Sequence, residues 1–346
     1  MILWYNSESH TFYEKRDYMN NKDRKTFWDT LNSLTGQNIP EECRKLTETI
    51  KYPKKLYRFR KADTNSLEAM RTNRLFFSSA DFYDDPFDSF CSINWNAVSD
   101  GIKNALGNPH QRDAAFDAIN KLVGCSKEQL TNYFAMHSIG EWTEIGGDII
   151  EQTRIEIQKR ERSICFTENG LNEVLWLKYA DNHKGFVLEF DYSPQALLID
   201  KDLRKDLNNA VYFPLYPVYY TNKTYDATNF ARAVAIDLSV KNSHPIIRQA
   251  ILHSLPQMLW EIERISLIKH KCHEYDKEWR IIHPSTVSNE PKCFSWIPSA
   301  VIIGLRTEKP TRDLIVALAR EAGIPKIYEC FIDNNNKLNK RIVKES

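Results

Sequence analysis

The chain has 346 residues, of which 42% are hydrophobic and 12% aromatic, enough apolar material for a large folded core. Its 47 basic and 46 acidic side chains leave a net charge of +1, which argues against a strongly basic nucleic-acid-binding protein. The seven cysteines are scattered and never form a Cys-x-x-Cys pair, which argues against a zinc ribbon or a disulfide framework.

Several features predict a cytoplasmic location. The cysteine usage is typical of free thiols in a reducing compartment. The first residues, MILWYNSESH, lack the basic and apolar regions of a signal peptide. Because the chain contains no run of about 18 apolar residues, we also expect no membrane partner.

The N-terminal region, residues 1–52, is predicted to be a helical extension. Phe27, Leu31 and Leu34 recur at helical spacing, and the Lys-Tyr-Pro-Lys-Lys segment that follows ends the pattern. The rest of the chain, residues 53–346, is predicted to be a single α+β domain.

This domain begins with two predicted strands, LYRFR (56–60) and LFFSS (75–79), on either side of a short helix. A loop follows, because Pro86 cannot lie in a central strand. From about residue 98 to 162 the pattern is helical and rich in polar residues. We interpret residues 98–162 as a helical insertion.

The middle of the chain alternates between strand and helix patterns. SICFT (163–167) and GFVLEFDY (185–192) are predicted strands around a helix whose N-cap is Asn172. Residues 210–220 are β-rich with prolines, and residues 226–272 are predicted to be helical.

The last part contains the predicted strands EYDKEWRII (274–282) and SAVIIG (299–304), and a helix near 310–323. A terminal hairpin is predicted to turn through NNNK (334–337). Strands separated by helices of uneven length predict an α+β fold.

Arginines on the first strand are the first candidate site residues. Arg58 and Arg60 share one face of this strand, and Tyr57 and Phe59 share the other. The arginines would either pair with surface carboxylates or use their fork of donors to bind a phosphate or pyrophosphate.

A second group surrounds the proline-fixed turn, where Ser78 and Ser79 precede Asp84, Asp85 and Asp88. Aspartates in turns often bond to their own backbone and so shape the loop. Three acids would otherwise suit Mg²⁺. Their spacing matches no known metal-binding loop, and we predict no metal site here.

An aromatic pair on the predicted helix after Asn172 is a third candidate. Trp176 and Tyr179 lie three residues apart on one helical face. They would either pack in the core or stack on a flat ring at the edge of a cleft.

The stretch EYDKEWRI contains the fourth group of candidate site residues. A period of two places Asp276, Glu278 and Arg280 on one face of a strand and Trp279 on the other. Such a charged row is typical of the solvated face of an edge strand. It would also suit a cleft wall where a carboxylate lies beside an arginine. No GxGxxG, P-loop or GxSxG motif occurs.

Four stretches together resemble a large prokaryotic family called domain of unknown function 2971: LYRFRK, LFFSSADFYDDPFDSF, ICFTENGLNEVLWLKYADNHKGFVLEFD and EYDKEWRI. The resemblance extends from about residue 55 to 285. The family usually has Phe-Asn-Asp-Pro-Phe-Asp where this chain has YDDPFD, and Glu-x-Glu where it has Asp-Lys-Glu. Many members are reported in mobile or phage-defence neighbourhoods, so the resemblance implies a role in phage defence, with a partner protein of such a system.

The layout is also similar to that of ADP-ribosyltransferases, which implies a split mixed or antiparallel β-sheet core of that type with helical insertions. In those enzymes a first-strand Arg or His grips NAD, a Ser or Tyr supports the nicotinamide ribose, and a late-strand Glu is catalytic. Carried over, Arg58 or Arg60 would hold the pyrophosphate, Ser78 or Ser79 the ribose, and Glu278 would be catalytic.

The same resemblance assigns roles to the neighbours of Glu278. Asp276 would take the place of the first acid of the acid-x-acid pair, and Arg280 would keep Glu278 ionised. The remaining candidate NAD-binding residues are Tyr57, Asp85, Trp176 and Tyr179. We therefore expect an NAD-consuming ADP-ribosyltransferase or NAD glycohydrolase that acts as a bacterial phage-defence effector on a protein or nucleic-acid acceptor.

Two alternatives remain open. One is a non-catalytic module that senses a nucleotide. The other is a metal-dependent nuclease that uses Asp84, Asp85, Asp88 and Glu278, or Asp276 and Lys277. Because Asp276 and Lys277 are adjacent, a strand would point them to opposite faces, which counts against that pair.

Overall fold

The computed structural model describes residues 19–83, 88, 91–98, 100, 146–192, 215–239, 260–283 and 293–343, with isolated positions between 113 and 132. The predicted site residue Asp85, its neighbour Asp84 and most of the predicted insertion 98–162 lie outside the described residues.

The α-helices with described bounds are α1 (Asn21–Ser33), α2 (Ile39–Glu48), α3 (Thr64–Arg71), α4 (Gly146–Arg160), α5 (Glu173–Tyr179), α6 (Thr228–Ser239), α7 (Glu261–Ser266) and α8 (Lys309–Glu321). Short 3₁₀ turns cover Ala80–Phe82 and Lys271–Asp276. None of the helices within the described ranges is long and apolar enough to cross a membrane.

The described strands are β1 (Lys55–Arg60), β2 (Arg74–Phe76), β3 (Ser78–Ser79), β4 (Cys91–Ser92), β5 (Arg162–Thr167), β6 (Phe186–Asp191), β7 (Leu215–Pro217), β8 (Tyr219–Thr221), β9 (Tyr225–Asp226), β10 (Ile268–His270), β11 (Glu278–His283), β12 (Cys293–Ser295), β13 (Ala300–Ile303), β14 (Ile327–Ile332) and β15 (Leu338–Ile342).

One mixed sheet forms the centre of the protein. Among the described residues it has nine strands, in the order β15-β14-β13-β6-β1-β5-β11-β7, with β3 paired to β5 outside this row. β13 and β14 are parallel and are connected through α8, whereas β14 and β15 form the predicted terminal hairpin. The predicted combination of helices with a mixed sheet is confirmed.

The sheet opens between β1 and β5. These strands are in register at one described pair, Tyr57 with Thr167, and at its other end β5 pairs instead with Ser78 and Ser79 of β3. β1 stays paired with β6 along its whole length, so residues 58–60 move away from β5. The divergence leaves space in the middle of the sheet.

Both faces of the sheet are covered by apolar packing. On one face, Phe27 and Leu31 of α1 and Leu46 of α2 are fully buried in the main core, together with residues of α8. On the other face, Trp176 of α5 packs with Phe59. The described helices of the N-terminal region thus belong to the main core.

Local patterns located most of the regular elements. β1, β5, β6, β13 and α5 lie where the sequence predicts them, and the Asn172 side chain accepts hydrogen bonds from the amides of Val174 and Leu175 as the predicted N-cap. LFFSS divides into two short strands, β2 and β3. The helical prediction for 226–272 is wrong at its end, because Ile268–His270 pairs with β8.

The predicted strand 274–282 is wrong in its first half. Residues Lys271–Asp276 form a 3₁₀ turn, which the His270 side chain caps by accepting from the amide of Cys272. Lys277 then adopts a left-handed conformation with φ of 43°, and the strand begins at Glu278. Asp276 is therefore not part of the strand row that contains Glu278 and Arg280.

Candidate functional site

A cavity of about 240 Å³ lies where β1 and β5 diverge. The predicted site residues that line it are Tyr57, Arg58, Arg60, Ser78, Tyr179, Asp276 and Glu278. Phe82, Tyr83, Cys165 and Lys269 line it as well. The structure therefore brings together side chains from the first strand, the turn after β3, α5 and β11.

Arg58 and Arg60 form one part of the cavity lining, which we call the arginine wall. Arg58 is 7% exposed, and its Nη1 atom is buried with no hydrogen-bond partner. Burial lowers the pKa of both arginines, and the charge of Arg60 lowers that of Arg58 further. Because a buried cation without a partner is costly, the wall favours an anionic ligand.

The Glu278 carboxylate also lines this cavity. Its Oε1 atom accepts from Arg280 Nε at 2.7 Å, and its Oε2 atom accepts from Lys269 Nζ at 2.9 Å. Burial alone would raise the pKa of Glu278, but the charges and hydrogen bonds of Arg280 and Lys269 hold it well below its ordinary value. Glu278 is thus a buried carboxylate that stays ionised.

Lys269 connects the acids of this site. Its ammonium lies 3.4 Å from both Asp276 Oδ2 and Asp88 Oδ2, in addition to the bond with Glu278. Burial lowers its pKa, but the carboxylates of Glu278 and Asp88 raise the pKa well above the ordinary value. Sequence reasoning missed Lys269, although a lysine in the apolar segment LIK just before an acid-rich stretch was a usable signal.

Arg280 lies behind Glu278 and does not line the cavity. It is fully buried, and its Nη2 atom donates to both carboxylate oxygens of Asp88, at 2.8 and 2.7 Å. Its Nη1 atom donates to the carbonyl of Ser266 at 2.8 Å. These bonds fix the guanidinium whose Nε donates to Glu278.

Asp276 has a different environment from Glu278. It is 4% exposed, and its Oδ1 atom has no hydrogen-bond partner. Burial raises its pKa to about 6, against the opposing charge of Lys269. A buried carboxyl with one free oxygen and a pKa near neutrality is suited to accepting a proton.

Two further predicted site residues, Ser79 and Trp176, do not line the cavity. Ser79 is buried in the pairing of β3 with β5. Trp176 is fully buried, packs edge-on against Phe59 and donates from its indole to the carbonyl of Gly170. Of the two interpretations of Trp176, core packing describes its place in the structure.

The carboxylates around the site are arranged about cations. Asp88, Asp276 and Glu278 each contact Lys269 within the part of the chain that the structure describes. Across the same ranges, no three His, Cys, Asp or Glu side chains are grouped as metal ligands. Lys277, a candidate of the nuclease alternative, is exposed.

The fold and site together define a mixed α and β protein with a charged cavity at an opening in its central sheet. Residues 175–281 match the model of the family described as "Protein of unknown function (DUF2971)", which confirms the resemblance to this family over that segment. The matched segment contains Tyr179, Lys269, Asp276 and Glu278. No curated protein and no solved structure matches the chain.

Proposed function

We propose that this protein breaks the bond between nicotinamide and ribose in NAD, as an NAD glycohydrolase or an ADP-ribosyltransferase. One observation carries the proposal: a single cavity is lined both by Arg58, a buried cation whose Nη1 atom has no hydrogen-bond partner, and by Glu278, a carboxylate held by Arg280 and Lys269. The substrate this suits carries an anionic group and develops positive charge when it reacts.

The arginine wall would hold the pyrophosphate of NAD. Arg58 has a free Nη1 donor in a buried position, and Arg60 adds a second guanidinium to the same wall. Guanidinium groups bind phosphate oxygens through paired N–H donors, and such bonds strengthen when water is excluded.

Glu278 would stabilise the transition state. As nicotinamide leaves with the bonding electron pair, positive charge develops on the ribose ring, as it does at other glycosidic bonds. A carboxylate that is already ionised and fixed by Arg280 and Lys269 stabilises this charge without having to reorganise.

Asp276 would accept the proton of the incoming nucleophile. Water or an acceptor hydroxyl attacks the ribose carbon and must lose a proton, and Asp276 has both a free oxygen and a pKa of about 6. Two neighbouring acids with pKa values shifted in opposite directions commonly divide the electrostatic and proton-transfer roles.

The size of the cavity indicates which part of NAD would be enclosed. Its volume of about 240 Å³ is somewhat below the roughly 300–1,000 Å³ of most small-molecule pockets. The reacting nicotinamide and ribose would occupy the cavity, and the adenosine half would extend from its mouth. The ring of Phe82 lines the cavity and is exposed, so it would be available to contact the adenosine half.

The biological setting follows from the family resemblance. An NAD-consuming effector of phage defence would deplete NAD or modify a macromolecule in an infected bacterial cell. Expression of the wild-type protein should then lower cellular NAD, and Glu278→Gln should abolish the effect.

The test is nicotinamide release from NAD by the purified full-length chain, with and without cell lysate. Glu278→Gln should reduce the rate about 10²–10³-fold, because it removes only the stabilising charge. Glu189→Gln is the matched control. Glu189 is likewise a buried sheet carboxylate held by two cations, Lys55 and Lys340, but it does not line the cavity.

The outcomes separate the candidate functions. Release without lysate supports a glycohydrolase, and label transferred to a lysate component supports a transferase. No nicotinamide release and no labelled product under either condition would refute the proposal. Cleavage of RNA or DNA that needs Mg²⁺ would favour the nuclease, and NAD binding without turnover would favour the sensor.

A further inference from the structure

The backbone of Glu278 is held at both ends of the residue by groups outside its own strand. Its amide donates to the hydroxyl of Tyr220 at 2.7 Å. Its carbonyl accepts from Nη1 of Arg24 at 2.8 Å and from the amide of Val218 at 3.1 Å. Two of these three partners are on the β7–β8 segment, and the third, Arg24, is on α1.

Arg24 is one of the most completely buried charged residues in the described chain, with 2% exposure. Its Nη1 atom also donates to the carbonyl of Val218 at 2.9 Å, and its Nη2 atom donates to Glu168 Oε1 at 2.8 Å. The guanidinium lies over the rings of Tyr220 and Trp279, at 5.7 and 5.4 Å from their centroids. Each of these contacts is either to Trp279, the neighbour of Glu278, or to a residue that is hydrogen-bonded to Glu278 or Trp279.

We infer that Arg24 is a positioning residue of the candidate site, which sets the Glu278 carboxylate by fixing the peptide that carries it. The inference rests on the proposed function for its kinetic consequence. Its structural reason is that Glu278 is the first residue of β11 and follows the left-handed Lys277. The residues before Glu278 therefore lie outside the sheet. Glu278 itself is in register with Thr167 of β5, and the bonds from Arg24, Val218 and Tyr220 add further restraint on its backbone.

The position of Arg24 in the sequence extends the candidate site beyond the segment that matches the family model. Arg24 lies more than a hundred residues before the segment 175–281 that matches the family model, on a helix of the N-terminal region. Part of the machinery of the site would thus come from outside the matched segment.

The experiment uses the full-length chain with Arg24→Met combined with Glu168→Gln, so that no buried carboxylate is left unpaired. The glutamine amide retains an oxygen for the Trp279 indole, which in the wild type donates to Glu168 at 2.6 Å. Arg24→Lys keeps the charge with fewer donors. Arg264→Met is the matched control, because Arg264 also binds α1, through the carbonyls of Leu31 and Leu34.

Two readouts are needed. Amide hydrogen exchange, followed on a peptide that covers residues 276–283, should become about tenfold faster at Glu278 in the double variant and stay unchanged in Arg264→Met. In NAD cleavage, the double variant should lower kcat about 10–100-fold with KM within about threefold, because a displaced carboxylate affects the transition state more than binding. Arg24→Lys should lie between wild type and the double variant.

The proposed function and the inference about Arg24 can be refuted independently of each other. If the wild type does not cleave NAD, the proposed function fails, and hydrogen exchange still decides whether Arg24 fixes Glu278. Unchanged exchange at Glu278 in a folded double variant would overturn the inference. So would an equal loss of kcat in the double variant and in Arg264→Met, since Arg24 would then act only by holding α1 in place.

Discussion

Asp276 and Glu278 lie two residues apart, and the structure places them in opposite electrostatic states. Glu278 has both oxygens bonded to cations, and its pKa is held below the ordinary value. Asp276 shares Lys269 at a longer distance, has one free oxygen and has a pKa of about 6. The difference arises from hydrogen-bond partners, since both residues are buried.

This difference predicts how stability depends on pH. The pKa of Asp276 is raised on folding, so its contribution to stability is fully present below about pH 4 and is lost as the pH rises through about 6. Asp276→Asn should therefore increase the free energy of unfolding at pH 8 by about 1–3 kcal/mol, with little change at pH 4. Urea denaturation across this range measures the effect.

The control for this prediction is Asp29→Asn, which changes an exposed aspartate of α1 and should alter stability by less than about 0.5 kcal/mol at every pH. Glu278 acts in the opposite direction, because its lowered pKa contributes stability that is lost only as the pH falls below about 4.5. An Asp276→Asn curve parallel to that of the wild type from pH 4 to 8 would contradict the prediction.

Trp279 provides a second prediction at this scale. It occupies the face of β11 opposite to Glu278, is fully buried in the main core and donates to Glu168. Trp279→Ala should lower the free energy of unfolding by about 3–5 kcal/mol, because it removes a large core side chain. Tyr275→Ala, at a partly exposed aromatic nearby, should cost clearly less in the same denaturation series.

At the scale of elements, the turn from α5 into β6 determines where the end of β1 lies. Residues 181–183 all have positive φ angles, and the amide of Gly185 donates to the carbonyl of Ala180 at 2.8 Å. A Cβ atom on Gly185 would lie 2.0 Å from the carbonyl oxygen of Arg60. The turn and the arginine wall are therefore in direct backbone contact.

Gly185→Ala should for this reason destabilise the protein by about 3 kcal/mol, since backbone atoms of β1 must move to admit a methyl group. Gly323→Ala is the control, because it measures the cost of replacing a glycine where the added methyl group meets no backbone atom. Gly323 has φ of 73°, but no atom lies within 4 Å of the position that a methyl group would take there, so only conformational strain of about 1–2 kcal/mol applies. Equal losses in the two variants, measured by thermal or urea unfolding, would show that the contact with Arg60 is unimportant.

The elements that the sequence located are those whose pattern is local. β1, β6 and the terminal hairpin have strand-length apolar runs bounded by turn residues, and α5 has its own N-cap in Asn172. The start of β11 was misplaced because the period-two pattern continues through Tyr275 and Lys277. The strand begins only at Glu278, because a 3₁₀ turn capped by His270 and a left-handed lysine precede it. Neither feature changes the alternation of residues in the sequence.

The site was predictable in part for a related reason. Arg58, Ser78 and Glu278 were found because each lies on or beside a recognisable strand, and all three line the cavity. Lys269 was missed because its importance depends on partners from separate elements. Its strand has three residues and is defined only by pairing with β8. Arg24 was missed likewise, since its contacts are more than a hundred residues away.

At the scale of the whole molecule, the N-terminal helices complete the core. Phe27, Leu31 and Leu46 are fully buried against the central sheet, and the indole of Trp260 donates to Glu42 of α2 at 2.8 Å. The family match begins at residue 175, so this part of the core is contributed from outside it.

A chain restricted to residues 51–346 should therefore fail to fold cooperatively. Burying one large apolar side chain contributes about 1.5–3 kcal/mol, so Phe27, Leu31 and Leu46 together contribute roughly 5–9 kcal/mol, against a typical total stability of about 5–15 kcal/mol. The truncated chain should lose near-ultraviolet circular dichroism and show a broad urea transition. A synthetic peptide of residues 19–50, added in excess, should restore both signals, because binding to the folded form shifts the equilibrium toward it. The same peptide with Leu31→Ala should restore much less. A truncated chain that unfolds sharply at the urea midpoint of the full-length protein would show that the sheet and the remaining helices close the core without α1 and α2.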